Sequence, residues 1–407
     1  MSWERKVLGD ISTSIQTGPF GSQLHQSDYS DEGVPVVMPK DLIQGAVSEE
    51  SIARVSKEHV ERLSKHKIQD GDILYSRRGD VGKCAFTSER EIGWICGTGC
   101  LKVSVDKDKA DPQFIFYQLQ KAETIGWVIN HAVGSTMLNL NTSILSAVPV
   151  DVPEIEIQRK IVKILSSYDE LIANNQKQIK LLEEAAQRLY KEWFVDLRFP
   201  GYKDVKIVDD VPEGWRKQKI SDFGEIITGK TPSTAKEQYY GGKIPFVKIP
   251  DMHDCVYPIT TESTLTSEGA NTQKNKFIPQ NGIMVSCIAT VGLVNIAVAS
   301  CQTNQQINSI ILNDEQDLYY TYSTMKRLKT LLEGVGSNGA TMTNVNKTKF
   351  GNLEILYPTD ELRKMYYDFC QPIFEKIYAL SISINKLSLA RDRLLPKLMN
   401  REIEIWA

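Results

Sequence analysis

Between Pro153 and Phe199 the apolar positions recur in steps of three and four: Leu165, Tyr168, Ile172, Ile179, Leu182, Ala186 and Leu189, with Asn175 on the same stripe. That spacing predicts one long amphipathic helix with a coiled-coil seam rather than a strand. A second stripe, Cys370, Ile373, Ile377, Leu380, Ile384, Leu387, Arg391 and Leu394, follows Pro358 with the same steps. The two stripes are expected to pack against each other as an antiparallel coiled coil. A helix of roughly 35 residues spans about 50 Å, more than most core helices need, so a spacer between two bodies is expected. Asn175 is costly to bury unpaired and fits a residue that fixes the register of the seam. Outward positions mix Arg159, Lys160, Lys163, Lys177 and Lys180 with Glu154, Glu156, Asp169, Glu170, Glu183 and Glu184, the pattern of a solvated or partner-facing surface.

The helices belong to a repeat that runs the length of the chain, at an offset of about 205 to 212 residues. Trp3 matches Trp215, VPVVMPKDL matches IPFVKIPDM, and GDILYS at 71–76 matches NGIMVS at 281–286. GSTMLNLN at 134–141 matches GATMTNVN at 339–346, and the helices follow. The matched positions are mostly apolar or turn-forming, while the segments between them diverge. Short apolar runs such as VPVVM, DILYS, KCAFTS and LKVSV read as strands, and 112–129 reads as one helix with a counterpart near 317–332. The expected fold is therefore mixed α+β. It divides into a module at 1–152, a long helix at 153–199, a connector at 200–214, a module at 215–357 and a long helix at 358–402. The halves are expected to be related by a pseudo-twofold axis.

Bulk properties narrow the classes without choosing one. A formal net charge of -3 leaves no global signature of nucleic-acid binding, so any such contact must come from local basic surface. Cysteines at 84, 96, 100, 255, 287, 301 and 370 contain no C-x-x-C pair, which speaks against a zinc site or a disulfide framework and for a reducing cytoplasm. No apolar signal segment opens the sequence. The uncharged stretch 282–300 has the length of a membrane span. Its interruption by Ser286, Thr290, Gly292 and Asn295 predicts two buried strands around a glycine turn instead. No phosphate-binding loop, dinucleotide fingerprint or H-e-x-x-H-type motif is present.

The layout, the W-x-x-x-x-L-x-D-I start at Trp3, the Gly-Asp-Ile-Leu strand at 71–74, the G-S-T-M-x-x-L-N segment at 134–141 and the V-P-x-x-x-x-Q-R-K-I-V helix opening at 152–162 resemble the specificity subunit of Type I restriction-modification enzymes. The second copy departs from the pattern: Arg363 stands where Gln158 does, and Pro396 is expected to kink or end the second helix. The resemblance implies a non-catalytic, cytoplasmic reader of double-stranded DNA. Each module would read one half of a bipartite, gapped site, and the helices would set the gap and dock two methyltransferase subunits, which restriction subunits can join. It also implies no cofactor on this chain and no membrane contact, with S-adenosylmethionine, ATP and Mg on the partner subunits. A coiled-coil assembly scaffold that reads no DNA is the rival, and an enzyme with an unrecognised site is the third reading.

Candidate DNA contacts follow from residue chemistry. In the first module Arg77, Arg78 and Lys83 sit on a glycine turn between two strands, where guanidinium groups can meet phosphate or a guanine edge. In the second, the same turn is apolar, and the amide run Gln302, Asn304, Gln305, Gln306 and Asn308 is the leading base-reading candidate, since amides pair with the adenine edge. Lys230, Thr231, Ser233, Lys248 and Lys276 are candidates for phosphate. The loops opening at Gly18, with Ser22 and Gln23, and at Gly229 sit at matching places and are candidates for backbone approach to phosphate. Solvated hairpin tips and self-satisfied turns are the bland readings of the same residues.

Overall fold

The structure is a computed structural model and describes residues 3–21, 23–134, 137–327, 329 and 345–403. The two long helices run Ile155–Tyr190 and Asp360–Met399, and the first closes in a π-helical turn, Lys191–Val195. Pro396 lies inside the last turn of the second helix, so the break expected there comes at Met399. The chain divides into two compact units that do not follow the module and helix boundaries. Residues up to Asp169 and from Leu389 form the first, and Glu170–Ser388 form the second, so each unit takes part of both helices.

The first unit is built on a four-stranded antiparallel sheet in the order Ser12–Thr17, Cys100–Val105, Ile73–Ser76, Cys84–Phe86. A smaller sheet joins Ile95–Cys96, Val34–Val37, Ala53–Val55 and Tyr29–Ser30, with Ile95–Cys96 parallel to its neighbour. The reading of 112–129 as one helix needs correction. Pro112–Leu119 and Ala122–His131 are separate helices, because Lys121 takes an extended backbone between them. Asp111 caps the first by accepting from the amides of Gln113 and Phe114 at 2.9 and 3.1 Å, and Pro112 supplies the preset φ of a first helical residue. Under the sheet, Phe114, Tyr117, Val152, Ile157 and Ile161 pack with Leu395, Leu398 and Met399 from the second helix.

The second unit repeats the strand order: Gly224–Thr228, Ile307–Leu312, Ile283–Ser286, Val294–Ile296, again antiparallel throughout. Its smaller sheet likewise contains one parallel pair, Tyr240–Val247 with Gln302–Thr303. The uncharged stretch 282–300 therefore holds two buried, paired strands, and Gly292 takes a positive φ of 88° in the turn between them. Among the described residues no helix is long and apolar enough to cross a membrane. The connector at 200–214 contains a two-residue hairpin, Ile207–Val208 with Val211–Pro212. An aromatic cluster of Tyr190, Phe194, Trp215, Tyr320 and Tyr366 seats the helices in this unit.

Most of the predicted seam is buried or half-buried. Leu165, Ile172, Asn175, Ile377 and Leu380 are buried, and Tyr168, Ile179, Leu182, Ile373, Ile384, Leu387 and Leu394 are half-buried. Asn175 Nδ2 donates to Ser383 Oγ at 3.1 Å, and Tyr366 OH donates to the Ala186 carbonyl at 3.3 Å, so the helices run antiparallel within the second unit. Two acidic residues assigned to the solvated face are anchors instead. Asp169 accepts from Tyr117 OH at 2.5 Å and from Arg391 at 2.6 Å, and Glu183 accepts from Tyr322 OH at 2.7 Å with Lys326 3.0 Å away.

The helix openings show how one position changes chemistry without losing its place. In the first unit buried Gln158 donates to the Pro153 carbonyl at 2.7 Å and accepts from the amide of Asp111 at 2.8 Å. In the second, Arg363 stands there, buried, paired with Asp317 and with Asp360 at 2.6 Å, its guanidinium 4.3 Å from the centre of the Tyr357 ring.

Candidate nucleic-acid interface

In both modules the segment after the third strand of the repeat is held by the same backbone bonds. Arg77 N donates to the Gly99 carbonyl and Leu140 N to the Arg77 carbonyl, both at 2.8 Å. At the matching place Cys287 N donates to the Gln306 carbonyl at 2.8 Å and Val345 N to the Cys287 carbonyl at 2.9 Å. Leu140 and Val345 are buried, and the next residue in each copy, Asn141 or Asn346, caps a short helix by accepting from Ile144 N at 2.8 Å or Lys349 N at 2.9 Å. Those bonds give the well-matched segments 134–141 and 339–346 a structural role at their C-terminal ends; residues 135–136 and 339–344 lie outside the described residues.

On this shared frame the side chains differ. Arg77 is half-buried, its guanidinium 5.5 Å from the centre of the Phe20 ring, and burial together with the neighbouring Arg78 charge lowers its pKa. Arg78 is exposed and its side chain has no partner among the described residues. Lys83 is exposed but lies 3.3 Å from the Asp80 carboxylate. Gln23 closes its own loop by accepting from Phe20 N at 3.2 Å, and Ser22 lies outside the described residues. Exposed Phe20 was not singled out from the sequence, because nothing in its neighbours marks an aromatic there as outward-facing.

The glycine candidates need correction. A Cβ on Gly18 would lie 1.8 Å from the Gly97 carbonyl oxygen, and one on Gly229 would lie 2.2 Å from that of Asn304. Both glycines are required by the chain's own close packing, and both are buried. They are not available to phosphate.

The amide run needs the same correction. Gln302 is fully buried, donates to the Ala270 carbonyl at 3.0 Å and accepts from Gln273 Nε2 at 2.9 Å. Asn308 is buried, donates to the Val345 carbonyl at 3.1 Å and accepts from Thr228 Oγ1 at 2.6 Å. Asn304 closes a turn on Gln306, donating to its Oε1 at 2.9 Å and accepting from its backbone amide at 3.1 Å. Only Gln305 of the run is exposed, with Thr231 Oγ1 donating to its Oε1 at 2.7 Å. Lys230 and Ser233 are exposed beside them and Lys276 is half-buried, while Lys248 is tied to Glu262 at 2.8 Å.

Among the described residues no group of three or more His, Cys, Asp and Glu is placed to hold a metal. Burial pushes the thiols of Cys84, Cys96, Cys255, Cys301 and Cys370 up to about 12 and that of Cys287 up to about 11, so they stay protonated and inert. Cys100 is raised likewise.

The comparisons agree with this two-part organisation. The family model described as "Type I restriction modification DNA specificity domain" matches residues 1–184 and again 212–385. The specificity subunit of the type I restriction enzyme HindI of Haemophilus influenzae is 30% identical, over 98% of this chain and 99% of its own length. That of MjaIX from Methanocaldococcus jannaschii is 24% identical over 99% and 94%. The crystal structure of the type I restriction-modification S subunit from M. genitalium superposes with a TM-score of 0.59 at 14% identity, covering 100% of this chain and 97% of that one, and so shares the fold. With two copies of the domain and a relative aligned end to end, the chain belongs to the type I restriction-modification DNA specificity family.

Proposed function

We propose that this chain gives a type I restriction-modification complex its DNA sequence specificity by reading the two halves of a bipartite, gapped site with its two modules. The observation that carries the proposal is the shared turn. One backbone scheme holds residues 77 and 287, yet one turn carries Arg77 and Arg78 and the other Cys287 and Ile288. A common scaffold with divergent side chains, of which Arg78 is exposed, is what two readers of different sequences require. In the second module exposed Lys230, Ser233 and Gln305, with half-buried Thr231 holding Gln305, take the reading role. The long helices dock the modification subunits and set the gap, and the chain itself catalyses nothing. S-adenosylmethionine, ATP and Mg belong to the partner subunits, and the complex works in the cytoplasm.

Co-expression with a modification subunit from the same system, followed by mapping of adenine methylation on a plasmid, tests this. One asymmetric, gapped motif methylated on both strands is the expected result. A stable complex that neither methylates nor binds DNA selectively would favour the assembly scaffold instead. Methyl transfer by this chain alone would return it to the enzymes.

A further inference from the structure

We infer that Arg78 is the base-reading residue of the first module and that it recognises a guanine in the half-site bound there. This rests on the DNA-reading function proposed above.

Three cations share the turn, and the structure separates them. Arg77 is half-buried over Phe20 and Lys83 is paired with Asp80 at 3.3 Å, so neither presents an exposed, unpaired head. Arg78 does. Its side chain is exposed and has no hydrogen bond or ion pair among the described residues. Its backbone is fixed on all sides: Ser76 Oγ donates to the Arg78 carbonyl at 3.1 Å, Asn139 forms a β-bridge with it, and Gly79 N donates to the Leu138 carbonyl at 3.2 Å. A rigid base and a free head are what a base-reading side chain needs, since the fixed backbone limits the entropy lost when the head docks.

The choice of guanine over phosphate follows from the surroundings. A guanidinium offers parallel N-H donors that match guanine O6 and N7, and it is always charged. Phosphate sites gather backbone amides, hydroxyls and several cations. Here, besides exposed Asp80 and Lys83, which pair with each other, the exposed side chains near the turn are large and apolar: Phe20, Val133 and Met137 are 54, 62 and 63% exposed. Val133 is joined through a β-bridge to Asn139, the residue bridged to Arg78. Such a rim suits base edges and the thymine methyl. Arg77 Nε and Asn139 Oδ1, on either side of Arg78, are buried without a partner among the described residues. The second module has Ile288 at the matching place and cannot make this contact.

The test is Arg78→Ala in the complete complex with its modification subunits. The methylated motif is mapped, and duplex binding is measured across a salt series for a site and a non-site. Expected is relaxation at one guanine position in one half-site, with discrimination there falling by about 5- to 150-fold and the other half unchanged. A uniform loss on site and non-site, with the salt slope reduced by about one charge, would make Arg78 a phosphate contact and overturn the inference. An unchanged motif, or change in both halves, would also overturn it. The wild-type complex in the same experiment isolates the underlying proposal: if it shows no gapped motif, the DNA-reading function fails rather than the role of Arg78. Complex stoichiometry and the intact second half-site exclude misfolding as the cause.

Discussion

Residues 77–79 and 287–289 stand at the same point of two sheets with the same strand order, and they differ in every side chain although residues 77 and 287 share their backbone bonds. The difference teaches how this chain varies. Backbone hydrogen bonds and a buried Leu140 or Val345 hold the frame, so the outward side chains at the turn are free to change. The same division recurs beneath the turn. The first module buries an ion pair, Lys102 with Asp72 at 3.1 Å, where the second has Ser309 and Gly282. It recurs again at the helix openings, where Gln158 and Arg363 do one job by different means.

The strongest test of that equivalence is the buried ion pair. Asp72 also accepts from Ser104 Oγ at 2.5 Å and from Gln69 N at 2.8 Å. Asp72→Gly leaves Lys102 charged and uncompensated and should cost about 3–5 kcal/mol. If the modules are interchangeable at this site, adding Lys102→Ser should recover about half of that loss in a denaturant titration. A double variant as unstable as the sum of the two singles would break the comparison.

The anchors come next. Tyr117→Phe and Tyr322→Phe each remove a hydroxyl donated to a carboxylate, Asp169 or Glu183. Each should cost about 1.5–3 kcal/mol, seen as a lower urea midpoint without a change in slope. Within the amide run the structure predicts a split. Gln302→Ala and Asn308→Ala strand buried partners and should cost about 1–3 kcal/mol with the methylated motif unchanged. Gln305→Ala should stay within about 0.5 kcal/mol in stability yet alter one half-site. A motif change from Gln302→Ala in a folded complex would contradict this assignment.

The smallest effect is a pH dependence confined to the first module. Burial pushes the pKa of His66 down, with the charges of Lys65 and Lys102 acting the same way, whereas Lys276 closes the corresponding turn of the second module. The unfolded chain then takes up a proton at His66 before the folded chain does. Its contribution to stability is therefore intact above the unfolded pKa of about 6.5 and declines as pH falls below it. His66→Gln should flatten part of the acid slope below about pH 6.5, and an unaltered slope would count against it.

The seam, the repeat and the paired strands were legible because periodicity is a local signal. Asn175 in particular was readable: a lone amide on an apolar stripe needs a partner, and Ser383 supplies it. What was illegible depended on distant residues. Asp169 and Glu183 sit among charges at outward helical positions, and their tyrosine partners lie far away in the sequence. The amide run misled because side-chain type does not say which face is covered: the strand Ile307–Leu312 runs between two others, so Asn308 and Ser309 are as buried as their apolar neighbours. The glycines misled for a related reason, since close approach of backbone to phosphate and to another strand requires the same missing Cβ. The break at Lys121 carries neither Gly nor Pro to announce it.

The central claim is that the modules share a scaffold and read separately. It is tested most directly by replacing residues 215–357 with the matching module of another family member and mapping methylation by the co-expressed complex. The account predicts a motif in which one half changes and the other is kept base for base. A complex of normal composition in which both halves change together would contradict it.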